Sequence, residues 1–244
     1  MKIIATILFL GISYTYAQVP DGKDILRKID QNMSSENRIF TSKMIIHGRR
    51  DNRTIESKTW TSGTKKSYTE YLFPAREQGT KMLKLDDQFW IFSPSTDRII
   101  QIAGHMLRQS VMGSDLSYED MMEDSKLTEK YAAVNTGTEE IDGRKCFVLE
   151  LTAIVTDVNY FKRKSWIDTE RFVPLKEELY AKSGQLLKRT TLSGVKQTQG
   201  RWFPTIILYK DMLKAGDGTE FQMTSIQFDQ VIPDYIFSKA ALKK

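Results

Sequence analysis

Turn signals recur along this chain at hairpin spacing. Asp51-Asn52, Ser62-Gly63, Asp86-Asp87, Ile141-Asp142-Gly143, Ser183-Gly184 and Asp217-Gly218 each separate two runs rich in β-branched and aromatic residues. The runs are Phe40–His47, Thr54–Thr61, Tyr68–Phe73, Lys81–Leu85, Gln88–Phe92 and Arg98–Ile102. After a helical interlude come Tyr131–Thr136, Lys145–Thr152, Tyr160–Ile167, Leu175–Ala181, Leu186–Leu192, Trp202–Lys210 and Phe221–Phe228. Hairpins in series, without helices between them, predict an antiparallel meander.

One strand breaks the usual pattern. A sheet with one wet face alternates apolar and polar residues. Phe89-Trp90-Ile91-Phe92 does not alternate. Both faces of this strand must therefore be covered.

Two kinds of segment can supply cover. Ile25, Leu26 and Ile29 recur at helical spacing, which predicts an amphipathic helix from about Lys23 to Met33. In the interlude, Ser117-Tyr118-Glu119-Asp120 resembles a capping box. Tyr118, Met121 and Met122 would then face inward, and Glu119, Glu123 and Asp124 outward. With Met106 and Met112, this Met-rich segment is a natural lid, because methionine adapts to irregular apolar partners. Near the end, Pro233 precedes a short helix carrying Ile236, Phe237, Ala240 and Leu242.

The N-terminus reads as an export signal. Met1-Lys2 is followed by an apolar run, Ile3 to Ile12, and by Thr15-Tyr16-Ala17. Cleavage is expected after Ala17. Residues 1–17 are then a signal peptide and 18–244 a single domain, periplasmic and soluble. No cysteine stands at the end of the run, so no lipid anchor is expected. The single cysteine, Cys146, precludes an internal disulfide and reads as a buried, inert thiol.

Several function classes lack a signature. The net charge of +5 is mild and its charges are interspersed, unlike a nucleic-acid binder. His47, His105 and Cys146 have no zinc spacing, so no metal is expected. Glu119, Asp120, Glu123 and Asp124 lack a calcium-loop pattern and read as a solvated helix face. There is no G-x-S-x-G; Ser114-Asp115 stands without a placed histidine. No phosphate loop or dinucleotide fingerprint appears, so no cofactor is expected. Surplus apolar surface on β-structure remains. It either fills a closed core or lines a cavity.

Three stretches carry a family resemblance: "FPAREQGTKMLKL", "FWIFSPSTDRIIQIAGHMLRQSVMGSDLSYEDMME" and "WIDTERFVPLKEELY". Together they resemble the outer-membrane lipoprotein-sorting proteins, relatives of the LolA-type periplasmic lipoprotein carriers. Trp166, Asp168, Pro174, Leu175 and Lys176 form the hairpin that is shared most broadly. The resemblance implies a mainly β fold: a curved antiparallel half-barrel sheet with short helices over its concave face. It implies a non-catalytic carrier that binds acyl chains of lipids or lipoproteins and moves them between envelope membranes. The alternatives are a lipid-sensing regulatory module and an envelope hydrolase. Implied partners are the acylated cargo, an inner-membrane exporter and a transiently contacted membrane. The expected acyl-chain lining is Trp60, Tyr71, Phe73, Leu83, Leu85, Trp90, Phe92, Ile100, Met106, Met112, Met121 and Met122. Trp90 and Phe92 are expected to face the cavity.

Overall fold

The structure, a computed structural model, describes residues 20–48, 50–123 and 126–244. The expected signal peptide and Asp124 lie outside these residues. Helix α1 spans Gly22–Met33 and precedes six strands: β1 (Asn37–His47), β2 (Asn52–Ser62), β3 (Lys66–Phe73), β4 (Lys81–Leu85), β5 (Gln88–Ser93) and β6 (Arg98–Ile102). The interlude holds two 3-10 turns, Gly104–Arg108 and Val111–Gly113, then helices α2 (Tyr118–Met122) and α3 (Leu127–Lys130). Nine strands follow: β7 (Tyr131–Ile141), β8 (Arg144–Ala153), β9 (Lys162–Asp168), β10 (Pro174–Tyr180), β11 (Leu186–Ser193), β12 (Lys196–Thr198), β13 (Arg201–Phe203), β14 (Ile206–Asp211) and β15 (Thr219–Phe228). Two further 3-10 turns, Asp234–Phe237 and Lys239–Lys243, close the chain.

Thirteen strands form one antiparallel sheet in the order β6-β5-β4-β3-β2-β1-β15-β14-β11-β10-β9-β8-β7. The sheet is curved and does not close: β6 and β7 are its edges. Sequential neighbours pair from β1 to β6 and from β7 to β11, as serial hairpins require, and β14 and β15 join the two runs by pairing with β11 and β1. The β7–β8 turn shows why its sequence matters. Asp142 and Gly143 both have positive φ, 47° and 74°, as a two-residue primed turn demands.

The predicted strand Trp202–Lys210 is in fact two. Pro204 has no N–H to give a ladder, so pairing breaks there. β13 pairs instead with β12, a strand too short to be read from the sequence, and β14 rejoins the main sheet. The C-terminal segment also differs. It forms 3-10 turns rather than an α-helix, so three residues per turn, not 3.6, set the buried face. Ala241 and Leu242 are buried while Ala240 is exposed.

Both faces of β5 are covered, as its sequence required. On the inner face, Phe89 and Ile91 pack with Met44, Ile55, Tyr71 and Met82 beneath the segment 104–122. On the outer face, Trp90 and Phe92 pack with Tyr68 and Leu83 against Phe237, Ala241 and Leu242. Farther along the inner face, Ile25, Leu26 and Ile29 of α1 cover Leu149, Leu151, Ile167 and Tyr131. Asp30 ties α1 to α3 by accepting hydrogen bonds from the Leu127 and Thr128 amides, each at 3.0 Å.

Cys146 is fully buried beside Val148, Trp166 and Leu175. Burial first, and then the charge of Asp168, push its thiol pKa up to about 11. Its reaction with a thiol reagent is expected to be slow in the native protein and fast once unfolded. Native labelling at the unfolded rate would place it on the surface. No helix among the described residues is long and apolar enough to cross a membrane.

Candidate functional site

A cavity of about 320 Å³ lies between the inner face of the sheet and the segment 104–122. Its existence follows from side-chain size. On β2 the inward positions are Ile55, Ser57, Thr59 and Thr61, and on β3 they include Ser67, Thr69 and Tyr71. The small residues do not reach the lid. On β4 and β5, by contrast, Met82 and Phe89 do, and the space there is filled.

The lining has two characters. The apolar part comes from the sheet and the lid together: Phe40, Met44, Tyr71, Val111, Leu116, Met121, Phe203, Ile207, Phe221, Met223 and Ile226. A polar wall of hydroxyls lies on β2 and β3, from Ser57, Thr59, Thr61, Ser67 and Thr69, and Arg38, Lys66 and Lys84 stand toward the β2–β3 turn. Met33, at the end of α1, closes the margin.

The lid is fastened at several points. The capping box of α2 is formed as expected: the Ser117 amide donates to Asp120 at 2.6 Å and the Asp120 amide to the Ser117 hydroxyl at 3.2 Å. Asp115 accepts from the Thr219 hydroxyl and the Asp211 amide, both at 2.9 Å. The Lys84 ammonium donates to the carbonyls of Met122 at 2.6 Å and Thr64 at 2.7 Å.

The acids of α2 correct the expectation of a solvated face. Glu119 is paired only loosely, with Arg108 at 3.6 Å. Asp120 forms an ion pair with Lys188 on β11 and accepts from the Tyr160 hydroxyl at 2.5 Å. Glu123 forms an ion pair with Arg163 on β9. All four partners of the two pairs are largely buried. Burial alone would raise the Asp120 carboxyl. The Lys188 charge and the hydrogen bonds from Lys188, Tyr160 and Ser117 outweigh it and hold Asp120 below the ordinary carboxylate range. Burial likewise works against the Arg163 charge, but Glu123, Glu177 and Tyr131 more than restore it. The Arg163 guanidinium also lies 4.9 Å from the Tyr131 ring centre.

Of the residues expected to line a cavity, Tyr71 and Met121 do so. Met106, Met112 and Met122 pack in the lid cluster around it. Trp60, Leu83, Leu85, Trp90 and Phe92 belong to the outer-face cluster. The inward facing expected of Trp90 and Phe92 is thus reversed: alternation ties them to Tyr68 and Leu83, not to Phe89. Phe73 and Ile100 are about half exposed, at 50% and 46%. Sequence reasoning missed the hydroxyl wall. Its signal was the alternation of small polar residues along β2, which aromatic content obscured.

Comparisons with known proteins agree with this architecture. A family model described as "Uncharacterized protein" matches residues 63–244. The search of curated proteins finds no match. A Vibrio parahaemolyticus structure, provisionally described as an outer membrane lipoprotein-sorting protein domain, is 25% identical with a TM-score of 0.80, covering 91% of this chain and 98% of that one. A LolA superfamily protein from Nitrosomonas europaea is 25% identical with a TM-score of 0.75, covering 91% and 100%. A DUF1329 family protein from Desulfovibrio piger shares the fold at a TM-score of 0.81 and 24% identity, over 91% and 97%. The chain belongs to the family matched over residues 63–244, and it is similar in fold and sequence to the outer-membrane lipoprotein-sorting and LolA superfamily structures.

Proposed function

We propose that this chain is a non-catalytic periplasmic carrier that holds acyl chains of lipids or lipoproteins beneath the lid. The observation that carries the reading is the cavity on the inner face of the open sheet, with an apolar wall and a cover of separate short elements. Each buried methylene is worth about 0.8 kcal/mol, so an acyl chain crosses water only when shielded. A volume of about 320 Å³ is at the lower end of the range for small-molecule sites, roughly 300–1,000 Å³. A larger cargo therefore requires the lid to move. Asp120 and Glu123 are committed to Lys188 and Arg163. That arrangement supports a fastening role for these acids rather than proton transfer. Delivery through an inner-membrane exporter, with transient membrane contact, belongs to the same proposal.

The test is native mass spectrometry of protein purified gently from the periplasm, with titration of a fluorescent acyl probe after delipidation. Co-purified lipid or acylated protein, and saturable probe binding, are expected. Met121→Glu places a carboxylate in the cavity wall, where burial without a partner is costly. It is expected to weaken the probe at least tenfold while the protein stays folded. Absence of both lipid and probe binding in the wild type would overturn the proposal.

A further inference from the structure

The polar wall of the cavity is built of hydroxyls. Thr59 and Thr69 are direct cross-strand partners, and their hydroxyls lie 2.9 Å apart. Ser42 and Ser57 are likewise partners, with hydroxyls 3.0 Å apart. In such a pair one hydroxyl donates and the other accepts, which leaves one hydroxyl hydrogen without an acceptor. Thr61 accepts from the Arg38 guanidinium at 3.4 Å, so its own hydrogen is also left over. These hydroxyls are buried, and no carbonyl or carboxylate of the described residues accepts from them. The wall therefore has buried donors in need of an acceptor, beside hydroxyl lone pairs that can also accept.

Charged acceptors are scarce in the same lining. Among the described residues its two carboxylates, Asp120 and Glu123, already face Lys188 and Arg163. A cationic head group would meet Arg38, Lys66 and Lys84 in the lining and, among the described residues, no carboxylate to receive it without breaking a buried ion pair. Apolar side chains, among them Met44, Tyr71, Leu116 and Phe221, share the lining and can take a chain.

We infer that the cavity selects an amphiphile whose head presents hydrogen-bond acceptors, a carboxylate or an ester carbonyl, seated against the hydroxyls of β2 and β3. The inference rests on the carrier reading and deepens it: the site recognises an acyl group by its oxygen end as well as by its chain.

The experiment is displacement of a fluorescent acyl probe by competitors of equal, sixteen-carbon length: the fatty acid, its methyl ester and the primary alkylamine. The acid and ester are expected to displace it roughly tenfold more effectively than the amine, because the amine leaves buried donors unmatched. The double variant Thr59→Val/Thr69→Val removes both partners of a pair and keeps their shape, so neither hydroxyl is orphaned. It is expected to fold normally and to lose most of that preference through weaker binding of the acid and ester. Equal displacement by all three competitors in the wild type overturns the inference and leaves the carrier reading standing. An unchanged preference in the folded double variant does the same. Failure of the wild type to bind the probe or any competitor overturns both. Should the double variant not fold, the wild-type series decides alone.

Discussion

Arg163→Ala is expected to destabilise the protein by about 3–5 kcal/mol, the range for removing one member of a buried ion pair. The reason is the charge left behind. Glu123 is held inside by the lid and would have no counter-ion, and Tyr131 would lose the guanidinium over its ring. Denaturant unfolding measures the loss, and a change below about 1 kcal/mol would mean that the pair behaves as a solvated one. Replacing both members by apolar residues, as in Glu123→Leu/Arg163→Met, is expected to recover most of the stability, since a well-packed apolar pair often matches a buried ionic one.

Asp120 adds a pH dependence to the same fastening. Its carboxyl is held below the ordinary range in the folded protein, whereas in the unfolded chain it titrates near the usual value of about 3.9. Its contribution is therefore fully present above that unfolded value and is lost as pH falls through the lower, folded one. In the wild type, stability is expected to decline in acid below about pH 4. Asp120→Asn is expected to be less stable at neutral pH and to show a shallower acid decline.

How much of this could be read beforehand depended on the range of the interaction. The strands were legible because alternation and turn chemistry are local; Lys81–Leu85 and Arg98–Ile102 coincide with observed elements. Pro204 was equally local, yet the apolar run around it carried the reading across the break. The site was harder. Alternation says which residues share a face but not which face is inside, and in Phe89–Phe92 both sets are apolar. The acids of α2 looked solvated because their partners lie elsewhere in the sequence: Arg163 is 40 residues from Glu123, and Lys188 is 68 from Asp120. Small hydroxyl residues on β2 mark a cavity only once a lid is known to stand above them.

Trp90→Ala is expected to separate stability from binding. The Trp90 ring is buried on the outer face, beneath Lys239 at 4.1 Å and beside the 3-10 turns that carry Phe237 and Leu242. The adjacent Tyr68 hydroxyl donates to the Ala241 carbonyl at 3.4 Å, and burial, then Glu70, raise its pKa to about 12. This face packs like an ordinary core, so truncation of the indole should cost about 3–5 kcal/mol through lost burial and the void left behind. The void does not adjoin the inner face: Leu83, on the neighbouring strand, is completely buried in the same outer cluster, while Met82 turns inward. Acyl-probe affinity measured well below the unfolding transition should therefore stay within about twofold of wild type, a difference of less than about 0.5 kcal/mol. Met121→Glu should show the opposite pattern, with lost affinity and a smaller change in unfolding. If Trp90→Ala instead kept its stability and lost the probe, the indole would have to line the binding site, and the division of the sheet into a packed outer face and a binding inner face would fail.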